Sequence, residues 1–184
     1  MKLDARLSLL FSLGILGACA STPTPDKASP RERCYSHGEI RTCTDAPAPS
    51  RQQVDDVKRL RLPPAGVSRV VLVRNDWRDA YGHAQLVLDG VALPAMIPCS
   101  VVGMDVRPGE HLLHAGAAAG AESPLRLSLK SQEVTVVKVK RLPRGAASRG
   151  FGLQLVGHTE ALALVQECAV LGFEDRTASS AEVR

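Results

Sequence analysis

Residues 124–130 read PLRLSLK, and the fold turns on how this stretch is read. Leu125, Leu127 and Leu129 alternate with Arg126, Ser128 and Lys130. A period of two gives an extended chain one dry face and one wet face, the pattern of a half-buried antiparallel strand. Further short runs of this kind flank it: RVVLVR (69–74), AQLVLD (84–89), CSVVGMDV (99–106), EHLLHA (110–115), EVTVVKVK (133–140) and FGLQLV (151–156). Turn residues separate them at Asp89-Gly90, Pro108-Gly109, Gly116 to Gly120 and Pro143 to Gly145. Short strands at regular spacing, with no long helix between them, predict a mainly β fold: a small antiparallel β-sandwich over residues 66–173.

One stretch breaks the pattern. From His158 to Val170, Leu162, Val165 and Cys168 recur every three residues, which predicts a short C-terminal helix with Thr159 as its cap. Beyond Phe173 the chain is polar, and residues 174–184 are expected to form a flexible tail.

A chain of 184 residues with 45% hydrophobic content can bury one core but hardly two. Its formal charge is +4, and Lys2, Arg6 and Asp4 carry one unit of that in residues 1–18. Aromatics make up 3% and do not interleave with a basic stripe, so no nucleic-acid partner is expected.

The N-terminus reads MKLDARLSLLFSLGILGACA. Lys2 and Arg6 precede an apolar run from Leu7 to Leu16, too short for the ~20 residues that span a bilayer, so residues 1–18 read as an export signal. Leu16-Gly17-Ala18-Cys19 resembles the lipobox of bacterial lipoproteins, which would make Cys19 the acylated mature N-terminus. Ala20 stands where an aspartate would resemble an inner-membrane retention signal, so the expected destination is the outer membrane, facing the periplasm. The partners expected are the membrane, through the lipid, and an envelope protein or cell-wall component.

Residues 19–65 are rich in Pro, Ser, Thr and charge and show almost no apolar periodicity. Such a composition does not offset its ordering entropy by burial, so a disordered tether is expected. Val54 to Leu62 could form a helical turn or two before Pro63-Pro64 stops it. With Cys19 acylated, Cys34, Cys43, Cys99 and Cys168 remain, an even number that suits an oxidising compartment. Of three connectivities, Cys34–Cys43 with Cys99–Cys168 is preferred, because the first pair is local and the second lies in the folded region. A rival reading takes Cys34, His37 and Cys43 as soft metal ligands, although no fourth ligand lies at a familiar spacing.

Candidate chemistry is sparse. RPGEHLLHAG (107–116) gathers Glu110, His111 and His114, yet successive side chains of a strand diverge: His111 falls with Leu113, and His114 with Glu110 and Leu112. The H-E-x-x-H pattern is absent, as are the G-x-S-x-G elbow, the P-loop and the dinucleotide fingerprint. His83 and His158 lie at no spacing that completes a site. No catalytic residue, metal or cofactor is therefore expected. Asp89 before Gly90 reads as hairpin chemistry. NDWRDAYGHA (75–84) holds the only tryptophan, and Trp77, Arg78 and Tyr81 are candidate partner contacts; the alternative is that Trp77 covers an open end of the sandwich.

VVLVRNDW (70–77), LVLDGVALPAM (86–96), DVRPGEHLL (105–113), SPLRLSLKSQEVTVVKVK (123–140) and FGLQLVGHTEALALV (151–165) together resemble the DUF2846 family of bacterial envelope lipoproteins over roughly Ser68 to Val170. The resemblance implies a small β-sandwich of unknown function and brings no catalytic residues. The PEGA module shares the Asp-Gly and Pro-Gly-x-His turns and remains an alternative. The paired Cys99 and Cys168 depart from the family's pattern.

Overall fold

A computed structural model describes residues 32–77, 82–116, 124–143 and 150–178. The strands are β1 (Glu32–His37), β2 (Ile40–Asp45), β3 (Ser68–Arg74), β4 (Leu86–Leu88), β5 (Val91–Ala92), β6 (Ser100–Val106), β7 (Gly109–Ala115), β8 (Leu125–Leu129), β9 (Val134–Arg141), β10 (Phe151–Leu155) and β11 (Ala169–Arg176). The helices are α1 (Arg51–Lys58) and α2 (His158–Glu167).

Two sheets form a sandwich. A five-stranded sheet runs β10-β9-β3-β6-β11 and a four-stranded sheet runs β5-β4-β7-β8. In PLRLSLK the alternation holds: Leu127 and Leu129 are buried, Leu125 is half-buried, and Arg126 and Ser128 face solvent. Between the sheets Val70, Leu72, Val102, Met104, Val137 and Val139 meet Leu86, Leu88, Leu113, Leu127 and Leu129. The four-stranded sheet is wholly antiparallel. The five-stranded sheet is mixed, with β3–β9 and β6–β11 parallel, so only part of the sandwich follows the antiparallel expectation.

The outer face of the five-stranded sheet is covered as well. Val71, Val73, Val101 and Val136 pack there against Val57 and Leu60 from one side of the chain and Ala161, Leu164 and Val165 of α2 from another. This double burial is why all seven residues of β3 are buried.

The covering layer corrects the expectation of a tether for residues 32–65, within which a helical turn or two from Val54 is expected; residues 19–31 lie outside the described residues. Residues 32–45 form a hairpin and 51–58 a helix. The helix has a sequence signature in Ser50-x-x-Gln53: Ser50 Oγ accepts from the Gln53 backbone N–H at 3.2 Å and Gln53 Oε1 accepts from the Ser50 N–H at 2.8 Å, a capping box. Two glycines let this layer approach. A Cβ on Gly103 would stand 2.6 Å from Val57 Cγ2 and 2.8 Å from Phe173 Cδ2, and one on Gly172 would stand 2.9 Å from Ala46 Cβ. Polar groups lock it in place. Lys58 Nζ donates to the carbonyls of Val165, Gln166 and Cys168, so α1 closes the C-terminal end of α2. Partial burial lowers the Lys58 pKa, and those carbonyls are acceptors for the partly desolvated ammonium. Beneath α1, Arg69 grips Asp105 through two bonds of 2.7 and 3.0 Å.

The C-terminal region also differs from expectation. The helix is present but ends at Glu167, and its N-cap is Gly157, with no side-chain hydrogen bond from Thr159 or any other residue. Cys168 is extended, and β11 follows through Arg176, past the expected start of the tail at residue 174. From the ladder senses, β10 and β11 run parallel at opposite edges of one sheet, so β10–α2–β11 is a crossover. Ten helical residues extend about 15 Å, close to the roughly 19 Å between edges four strand spacings apart. Pairing along β6 and burial of Leu171 and Phe173 outweigh a local pattern that favours continuing the helix.

Candidate functional site

The predicted site residues fall at two ends of the sandwich. At one end Asp89 and Gly90 have φ of 52° and 80°, the two positive values of the tight turn that joins β4 to β5. Asp89 Oδ1 accepts from the Leu112 backbone N–H at 2.8 Å, and Oδ2 lies 2.6 Å from His111 Nδ1. The other ring nitrogen, Nε2, lies 2.9 Å from the Arg107 carbonyl. Both nitrogens of His111 are thus engaged in clamping the β4–β5 turn to β7, and the ring presents no nitrogen to a substrate. His114 points to the opposite face of β7, as the alternation requires, and pairs across from Val87. Glu110 is exposed, and His83 and His158 are exposed elsewhere. A cavity of about 230 Å³ opens beside His111, below the ~300–1,000 Å³ of ordinary small-molecule sites.

At the other end, β3 delivers Arg74, Asn75, Asp76 and Trp77 to the rim. Arg74 is 1% exposed; its Nη1 donates to the Gly82 carbonyl at 2.5 Å and the Met96 carbonyl at 2.9 Å. Its guanidinium lies 4.7 Å from the centroid of Phe151, with that of Arg141 at 5.3 Å from the same ring. Burial pushes the Arg74 pKa down to about 10, opposed by the attraction of Asp76, so the group stays charged at neutral pH.

Trp77 carries the hairpin. His37 stacks on its indole at 4.6 Å and Tyr35 lies 5.6 Å away, tilted. Trp77 thus packs against the hairpin at the rim of the outer face. It also walls a cleft of about 400 Å³ whose other lining residues are Asn75, Asp76, Lys138, Lys140 and Gln154. Register explains the convergence. Lys138 and Lys140 share the outer face with Val136, Gln154 lies opposite Lys138, and Val73 lies opposite Lys138 on the other side, so Asn75 and Trp77 continue along that same face. Lys140 Nζ donates to Gln154 Oε1 at 3.1 Å, and Lys138 Nζ lies 3.2 Å from Glu160 Oε1. Helix α2 covers the neighbouring valines but leaves this corner open. Lys138, Lys140 and Gln154 were not candidates from the sequence, although the run VVKVK places both lysines on one face.

The cysteines meet in the expected pairs. Cys34 and Cys43 face each other across the β1–β2 ladder with Cα atoms 4.0 Å apart, and Cys99 and Cys168 stand 4.7 Å apart where β6 and β11 begin. Glu32 joins Cys34 and Cys43 in a group whose donor atoms lie within 4.8 Å, but the two sulfurs are bonded to each other, which leaves Glu32 as its one ligand. His37 lies three residues along, on Trp77, so the Cys34/His37/Cys43 metal set does not converge. Cys19, Arg78 and Tyr81 lie outside the described residues. No family model, curated protein or solved structure matches the chain.

Proposed function

We propose that this chain is a lipid-anchored protein of the bacterial envelope, acylated at Cys19 and sorted to the outer membrane, whose β-sandwich serves as a non-catalytic binding module akin to the DUF2846 lipoproteins. The observation that carries the reading is the pairing of all four remaining cysteines at bonding distance, an arrangement that an oxidising, exported environment sustains and a reducing cytosol does not. It agrees with the basic and apolar segments and the lipobox-like Leu16–Cys19 at the N-terminus. The clamped Asp89-Gly90 hairpin and the turn at Pro108-Gly109 into β7 lie within two of the five stretches that carry the family likeness, and the PEGA module shares them.

Folding of the chain from Glu32 onward changes the geometry of the anchor. From Cys19 to Glu32 the chain reaches at most about 45 Å when fully extended, against more than ~150 Å for a free tether running to residue 65. The module then works close to the membrane surface. Growth with labelled palmitate, followed by fractionation, tests the assignment: label in the outer-membrane fraction that disappears in Cys19→Ser supports it. An unlabelled protein released with the periplasmic contents contradicts it.

A further inference from the structure

We propose that the cleft beside Trp77 binds a saccharide bearing an anionic group, a carboxylate or a phosphate. This deepens the reading above by giving the module a ligand class, and rests on it only for the compartment in which the ligand is met. At about 400 Å³ the cleft lies within the range of small-molecule sites and accommodates one or two rings rather than a polymer segment. Its lining specifies the ligand by donor and acceptor type. Lys138 and Lys140 offer donors and no acceptor, which selects an anion. Asn75 and Gln154 offer amides that both donate and accept, matching hydroxyl groups that do the same. Asp76 lines the cleft with its negative charge balanced by the buried Arg74 that it attracts, so it does not cancel the two lysines. Apart from the indole of Trp77 the walls are polar, so the ligand presents one apolar ring face and is otherwise hydrophilic. A sugar ring with a charged substituent meets all of these conditions; an apolar ligand meets none but the indole.

The site is built rather than incidental. His37 braces the indole from the hairpin, and the Cys34–Cys43 pair holds the hairpin closed. The Lys138–Glu160 contact at 3.2 Å lies partly in solvent, where such a pair contributes little and yields readily to a ligand.

Trp77 is the only tryptophan, so its fluorescence reports on the cleft without labelling. The full chain in detergent micelles is titrated with N-acetylmuramic acid, with glucose 6-phosphate and with glucose. A saturable change with at least one of the two anionic sugars, at a Kd below about 1 mM and at least about tenfold tighter than glucose, is expected. The anion that binds tells carboxylate from phosphate. Lys138→Gln/Lys140→Gln should weaken that binding at least about tenfold, while Arg126→Gln, which removes one cation from the far sheet, leaves it unchanged. Equal affinity for glucose, an unaltered Kd in the lysine variant, or no saturable change with either anion overturns the proposal. Palmitate labelling is independent of these titrations, so the anchor and the cleft stand or fall separately.

Discussion

The two faces of the five-stranded sheet are both dry, yet they are closed by different means. The inner face meets a second sheet in which leucines and valines interdigitate, and almost all of the contact is apolar. The outer face meets two short helices and relies on devices that act at single points: two glycines that permit close approach, a lysine that closes a helix end, a partly buried Arg69–Asp105 pair and two cysteine bridges. A continuous apolar face tolerates small defects by sharing them, whereas a point-fastened layer depends on each fastening.

Leu113→Ala, which empties a fully buried position in the inner core, should cost about 2–5 kcal/mol by urea denaturation, the largest effect expected from one residue. Val57→Ala on the outer face should cost about 2 kcal/mol; a cost near zero would mean that α1 is not part of the cooperative fold. Replacing both Cys99 and Cys168 with alanine should remove about 4 kcal/mol in the chain-entropy model, because their separation of 69 residues closes a long loop. Replacing Cys34 and Cys43, separated by 9, should remove about 2.5 kcal/mol and act locally on the hairpin and Trp77 fluorescence.

Gly103→Ala sharpens the comparison, since the added methyl meets Val57 and Phe173 on the outer face; a loss of about 1–3 kcal/mol is expected from thermal or urea unfolding. The smallest effect concerns pH. The Thr177 hydroxyl and backbone N–H hold the Asp175 carboxyl below its ordinary value. Its folded pKa is therefore below its unfolded one, so its small contribution is complete above the unfolded value near 3.8 and is lost as pH falls through the lowered one. Asp175→Asn should lower stability slightly at neutral pH and leave it unchanged below the lowered value, so that the acid limb of the stability profile is slightly flatter.

The inner face was legible in the sequence because its strands read as short apolar runs, alternating most cleanly in PLRLSLK, and the Asp89-Gly90 and Pro108-Gly109 turns separate them. The outer layer was legible only in part. The sequence predicts α2 and a helical turn or two from Val54, but α1 reads RQQVDDVK, with Val54 and Val57 as its apolar residues and Val57 alone fully buried, too weak a period to place it as a packed layer without its partner surface. Strand β11 was hidden because its first residues fall at the end of the helical pattern that runs to Val170 and its last in a polar stretch, and it acquires its extended form by pairing with β6, far away in sequence. At the candidate site Trp77 was visible by its rarity. The lysines of VVKVK became meaningful only once register set them beside Asn75 and Gln154.

Amide hydrogen exchange across Val54 to Lys58 measures most directly whether the chain before residue 66 is a layer of the fold. Protection close to that of β9, lost together with it as denaturant rises, is the predicted result. Exchange at the rate of an unstructured peptide while β9 remains protected would contradict it.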